Sequence, residues 1–186
     1  MKKLFAAALC LAMLLSCAAM AENTDKAQMG TLNVKGAFTL QCALPEGYML
    51  VPIYAEDNAY RGLITPVDEA SDKPIMMLSI AYDDLMDEID RMNDLDDEAL
   101  AKIEATFTDE DDVEISYMET TYGTKVMVIK EIADGIDYVD FYSIYKGYGI
   151  EFVLTQAQVN AGVAITDEQI QMAMSFLSEL DFVPAE

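Results

Sequence analysis

The alternation of hydrophobic and polar positions is most regular between residues 113 and 155, as in strands of a sheet with one buried face. In the first run, for example, Val113, Ile115 and Tyr117 share one face. Short glycine-bearing links of two or three residues separate the runs, and links this short join only antiparallel neighbours. The runs are 113–121, 124–132, 136–145 and 148–155, and the links are Tyr122-Gly123, Asp134-Gly135 and Lys146-Gly147. The pattern predicts a four-strand meander.

Four shorter apolar runs precede the meander and are also typical of strands. The first, residues 38–44, ends at a turn over residues 45–48. Residues 49–55 and 60–65 predict a hairpin, and Pro52 places the first of its strands at a sheet edge or a bulge because proline cannot donate a ladder hydrogen bond. Residues 74–81 are apolar on both faces, which predicts a central strand.

Helical spacing of apolar residues appears twice. Residues 83–107 predict two short amphipathic helices, the first on Leu85, Met86, Ile89 and Met92, and the second with Asp96 as its N-cap. Residues 166–169 form a capping-box sequence ahead of a final apolar stripe. The predicted fold class is therefore α+β, with an antiparallel sheet that contains the C-terminal four-strand meander, flanked by a mid-chain helical segment and a C-terminal amphipathic helix.

Residues 1–21 have the pattern of an export signal, with Lys2 and Lys3 ahead of a twelve-residue apolar run that is too short to span a bilayer. Two cleavage patterns fit. Residues 19–21 match ordinary signal peptidase, whereas residues 14–17 resemble a bacterial lipobox in which Cys17 is lipidated. Residues 22–35 are polar and predict a flexible lead, and residues 36–186 predict a single α+β domain. The protein is thus expected to be secreted or otherwise extracytoplasmic, and it would attach to a membrane only if the lipobox is used and Cys17 carries a lipid.

Composition narrows the function classes. The formal net charge of −23 would repel nucleic-acid phosphates and anionic membranes, so a nucleic-acid partner is not expected. The chain has no histidine, which removes serine–histidine and cysteine–histidine catalysis and histidine-containing zinc sites together. After ordinary cleavage Cys42 is the only cysteine, and its apolar surroundings predict a buried, inert thiol.

Carboxylates are the remaining candidate chemistry. Acidic runs occur at residues 83–84, 87–88, 94–98 and 109–112, and hard oxygen ligands of this kind suit calcium. None follows the EF-hand pattern, because Ala99 stands where that loop requires glycine, so helix capping and a solvated surface explain these residues better. Glutamates that could form an acid–base pair lie in or beside strands at Glu114, Glu119, Glu131 and Glu151, although alternation with apolar residues is typical of a wet sheet face. Neither a catalytic site nor a bound cofactor is expected, with calcium as the alternative.

Tyrosines concentrate around the third link of the meander, and tyrosine is favoured both in strands and at binding surfaces. The predicted interaction surface comprises Tyr138, Tyr142, Tyr145 and Tyr148. Large residues occupy both faces of the third predicted strand, residues 136–145. Both faces must therefore be covered, either by the flanking helices or by a partner.

The order of elements, together with the Leu44-Pro45-Glu46-Gly47-Tyr48 turn and the glycine-punctuated meander, resembles the PsbP/DcrB-like families over about residues 36–183. That resemblance implies an antiparallel sheet flanked by helices, used by small exported proteins and lipoproteins that commonly lack catalysis. The sequence therefore predicts an exported bacterial, non-enzymatic interaction or ligand-binding domain whose partner is a protein or small ligand at the cell envelope. The alternative is a calcium-binding or carboxylate-dependent extracellular protein.

Overall fold

The structure, a computed structural model, describes residues 29–34, 36–56, 59–68, 71–108, 113–133, 136–156 and 163–185. Antiparallel sheet dominates it, and two α-helices accompany the strands, which confirms the α+β class. The predicted export signal, Cys17 and the acidic run at residues 109–112 lie outside the described residues.

The larger sheet has seven strands in the order β3-β4-β5-β9-β8-β7-β6, and every neighbouring pair is antiparallel. β3 is one edge, and its register shifts between Pro52 and Tyr54, so both features expected at Pro52 occur. β5 lies inside the sheet between β4 and β9. The strands are β3 (Tyr48–Glu56), β4 (Ala59–Pro66), β5 (Ile75–Tyr82), β6 (Val113–Glu119), β7 (Lys125–Ala133), β8 (Ile136–Tyr145) and β9 (Tyr148–Thr155).

A smaller sheet joins segments that are far apart in sequence. β1 (Met29–Val34) and β10 (Asp181–Pro184) both pair antiparallel with β2 (Phe38–Ala43), which lies between them. Residues 22–35 are predicted as a flexible lead, whereas residues 29–34 form β1. Polar side chains obscure the pattern, but Leu32 and Val34 alternate with exposed residues and are buried, so one face of this strand belongs to the core.

The main core fills the space between the small sheet and one face of the large sheet, which we call the inner face. Helix α2 (Asp167–Leu177) closes the same space with its buried stripe of Ile170, Ala173, Phe176 and Leu177. Its first turn has a capping box, in which Thr166 and Gln169 satisfy each other's backbone N–H groups.

The opposite, outer face of the large sheet is covered over only part of its width. Helix α1 (Asp97–Phe107), with Asp96 as its N-cap, packs with β6, β7 and β8 around a second cluster that includes Met127, Ile129 and Tyr142. No described helix lies over β3, β4, β5 and the neighbouring part of β9.

The prediction of the first mid-chain helix is wrong. Residues 84–86 and 92–94 form single 3-10 turns, and Leu85 on the supposed apolar stripe is 91% exposed. Asp83, Asp87 and their acidic neighbours would repel one another at helical spacing, and aspartate is a poor helix former, so the short apolar stripe does not outweigh these costs.

Candidate functional site

An open groove of about 720 Å³ lies on the outer face, where the segment after β5 rises beside β9. Strands form its floor and the first 3-10 turn forms its rim. Its lining residues are Ser79, Ala81, Tyr82, Asp83, Asp84, Leu85, Met86, Tyr142, Gly149 and Glu151. A concavity of this volume falls within the range of small-molecule sites, which is about 300–1,000 Å³.

The floor is set by a transverse row of directly paired residues. Arg61 on β4 pairs with Ser79 on β5, which pairs with Glu151 on β9. Glu151 in turn pairs with Tyr142 on β8. Since side chains of direct cross-strand pairs point to the same face, strand register alone brings a cation, a hydroxyl, a carboxylate and a phenol into one line.

Glu151 is the electrostatic centre of this row. It is half-buried, and loss of hydration raises the pKa of its carboxyl group above the ordinary value of about 4.5, while the positive charge of Arg61 acts in the lowering direction. No salt bridge within 4.0 Å joins Glu151 to another described residue. Among the described residues, the negative charge of Glu151 is therefore only partly compensated.

Tyr142 forms the wall between the groove and helix α1. Its ring packs against Phe107 at a centroid distance of 5.4 Å, and its hydroxyl donates to the sulfur of Met86 at 3.4 Å. Burial, followed by the negative charges of Glu151 and Asp83, raises the pKa of Tyr142 to about 12, so the phenol stays neutral. Tyr142 can therefore offer a ring and a hydroxyl but no charge.

Gly149 keeps the floor open beside Tyr142. A Cβ atom at this position would lie 2.9 Å from the Tyr142 hydroxyl oxygen, which is closer than real Cβ contacts allow. An isolated glycine in a strand indicates such a close approach, and this was the sequence signal that could have located the groove.

The rim is held by short-range polar contacts. The hydroxyl of Tyr82 donates to the carboxylate of Asp87, and this bond contributes most to raising the pKa of Tyr82 to about 12. The carboxylate of Asp83 accepts from the backbone N–H of Leu85 at 2.9 Å. These contacts fix the backbone of the rim and leave Leu85 projecting from it.

The predicted tyrosine surface is not an exposed surface. Tyr142, Tyr145 and Tyr148 are buried, and Tyr138 is half-buried. Tyr145 and Tyr148 are a cross-strand pair on the inner face, where both rings pack edge-on against Phe38, whereas Tyr142 faces outward. Alternation along β8 divides these residues between two cores, so only Tyr142 contributes to the groove.

The predicted carboxylate sites are likewise separated. Glu114 and Glu119 are exposed on β6, which is three strands and therefore about 14 Å from β9, so neither pairs with Glu151. Asp83 and Asp96 cap turns through backbone N–H groups. Among the residues that the structure describes, no three acidic or cysteine side chains converge as ligands for a metal ion.

Cys42 is buried on β2, as predicted. Burial raises the pKa of its thiol to about 12, which makes it a poor nucleophile.

No protein-family model matches the sequence, and a search of curated proteins gives no match either. Within the described part of the chain, no helix has the length and apolar character needed to cross a bilayer.

Proposed function

We propose that this chain is an exported bacterial, non-enzymatic binding domain whose outer-face groove takes a cationic ligand at or outside the cell envelope. The observation that carries the proposal is the half-buried carboxylate of Glu151, which has lost hydration without gaining an ion pair within 4.0 Å to any other residue that the structure describes. An ammonium group in the groove would supply the missing counter-charge.

The surroundings of Glu151 favour an organic cation over a bare metal ion. Asp83 and Asp84 add negative charge at the rim, and the ring of Tyr142 offers aromatic surface of the kind that attracts ammonium groups. Metal ions such as calcium need six to eight oxygen ligands, and the carboxylates of the rim are partly engaged with the backbone and with Tyr82.

Export and the absence of catalysis rest on the sequence. Residues 1–21 support export, and the lack of histidine removes the commonest acid–base and nucleophile-activating group. The neutral phenol of Tyr142 beside Glu151 suits ligand contact better than proton transfer near neutral pH. We extend the proposal to a place among PsbP/DcrB-like proteins, because the meander followed by an amphipathic helix is the pattern behind that resemblance.

Isothermal titration at low ionic strength tests the ligand class, with spermidine as the organic cation and calcium and magnesium chlorides as metal comparisons. We expect one spermidine per chain in wild type, at least tenfold weaker binding in Glu151→Gln, and no change in Glu46→Gln, which removes an equal charge from an exposed turn. Equal weakening by both substitutions would show only non-specific attraction to an acidic surface. A response to calcium that magnesium does not reproduce would favour the alternative, a calcium-binding protein.

Attachment to the membrane is tested separately through Cys17. If the lipobox is used, radioactive palmitate labels the wild-type chain in bacteria and fails to label Cys17→Ala. Absence of label in wild type, with the chain recovered in the medium, would instead support cleavage after residue 21.

A further inference from the structure

The groove continues into an apolar region of the same sheet face that no described helix covers. Immediately beside the row of Arg61, Ser79 and Glu151 runs a second row, in which Leu63 pairs with Met77 and Met77 pairs with Val153. We define the apolar patch as Val51, Leu63, Ile75, Met77 and Val153.

The apolar patch is not part of either core. None of its five side chains belongs to the two clusters formed by the described residues, and Met77 is 41% exposed. Helix α1 covers the other half of this face, over β6, β7 and β8. The sheet thus already binds one amphipathic helix on its outer face, and the described part of the chain leaves room for a second beside it.

We propose that the cationic ligand of the groove is part of a polypeptide, a basic amphipathic helix whose lysine or arginine enters the groove while its apolar stripe covers the patch. This inference rests on the proposed function, because it places the cation at Glu151. It adds the class of partner and a second contact surface.

Spacing supports the match between a helix and the two rows. Residues two apart on a strand are separated by about 6.6 Å, and residues four apart on a helix by about 6 Å. A lysine over the row of Ser79 and Glu151 therefore brings the residue four positions along the helix over the row of Leu63, Met77 and Val153. The next residue at that spacing reaches Ile75.

Charge favours a basic partner over a second copy of this chain. The chain has a formal net charge of −23, so two copies repel. At the groove end of the patch, the negative charges of Asp83, Asp84 and Glu151 outnumber the positive charge of Arg61. A basic amphipathic helix can cover the apolar patch with its apolar stripe and oppose the negative charge of the groove with its lysines or arginines.

Fluorescence anisotropy with a labelled fourteen-residue peptide of leucine and lysine at helical spacing tests the inference. The control peptide has the same composition in an order without a stripe. We expect the double variant Leu63→Gln/Met77→Gln to bind the striped peptide at least tenfold more weakly and to bind spermidine like wild type. Val183→Gln, which changes an exposed residue of the small sheet, is the matched control and leaves both affinities unchanged.

The outcomes separate this inference from the proposed function. Failure of wild type to bind spermidine contradicts the proposed function, whereas normal spermidine binding with peptide affinity that is insensitive to the patch overturns this inference alone. Two further outcomes also overturn this inference. One is equal affinity for the striped and control peptides. The other is a wild-type dimer in light scattering that Met77→Gln converts to a monomer. If the double variant melts early, the single Met77→Gln replaces it, because that side chain is already partly in water.

Discussion

At the scale of single residues, Glu151 shows how a strand residue acquires chemistry from its register. Its own neighbours in sequence, Ile150 and Phe152, mark it only as the polar position of an alternating strand. Pairing with Tyr142 and with Ser79 places it on the floor of a groove and removes much of its hydration. The result is a carboxylate that opposes folding when it is charged.

Replacing Glu151 by glutamine should therefore stabilise the protein near neutral pH. Because the folded-state pKa is raised, the folded protein binds the proton more tightly than the unfolded chain, so the carboxylate costs stability as pH rises above its ordinary value of about 4.5. We expect a higher melting temperature for Glu151→Gln at pH 7 and melting temperatures that converge below pH 4. A constant difference at both pH values would contradict this origin.

Gly149 provides the second prediction at this scale. Gly149→Ala forces the Tyr142 hydroxyl aside and should cost about 1–3 kcal/mol of unfolding free energy. Adding Tyr142→Phe removes the closest atom, so the double variant should lose less than the sum of the two single losses in denaturant titrations. Simple additivity would show that the clash is not with that hydroxyl.

At the scale of elements, the sequence predicted the structure correctly where a short local pattern determines it. Thr166 and Gln169 encode the capping box of α2, and Pro52 encodes an edge strand with a bulge. Prediction failed where contacts with other parts of the fold decide which secondary structure a segment adopts. The stripe of Leu85 and Met86 has helical spacing but forms a 3-10 turn, and β1 is a strand because β2 pairs with it.

The same reasoning explains what could be predicted of the candidate site. Glu151 was identifiable as one strand glutamate among four, but nothing in the sequence distinguished it from Glu114 or Glu119. Strand order makes the difference, because it places β9 inside the sheet and β6 at its edge. Asp83 and Met86 join the site only because the residues after β5 form a rim.

The packing of helix α2 against the main core gives the prediction at the scale of elements. Leu177 is fully buried in the main core, so Leu177→Ala should lower the unfolding free energy by about 2–5 kcal/mol. Ser175→Ala, on the exposed side of the same helix, should change it by less than about 0.5 kcal/mol. Urea denaturation followed by circular dichroism measures both, and equal effects would contradict the observed orientation of the helix.

At the scale of the whole molecule, the two sheets depend on one another through an aromatic cluster. Phe38 of β2 packs edge-on against Tyr145 of β8 and Phe182 of β10, and the rings of Tyr145 and Phe182 are stacked at 4.9 Å. This cluster links the small sheet to the inner face of the large one, so a change in β10 should affect global stability.

Phe182→Ala should therefore cost about 3–5 kcal/mol, with one cooperative transition that is seen alike by tyrosine fluorescence and by circular dichroism. Val183→Ala, at the exposed neighbouring position, serves as the control. Separate transitions for the two probes would show that the small sheet unfolds independently.

The position of β2 between β1 and β10 also has a consequence for the order of folding. The register pairs Phe182 with Leu40, so about 140 residues must leave the ribosome between the synthesis of β2 and that of its second neighbour. Such distant pairing forms slowly, and until then one edge of β2 and the ring of Phe38 lack their cover. If the protein is exported, as proposed above, and passes through a translocation channel as an unfolded chain, this delay would keep it able to thread until β10 has been made.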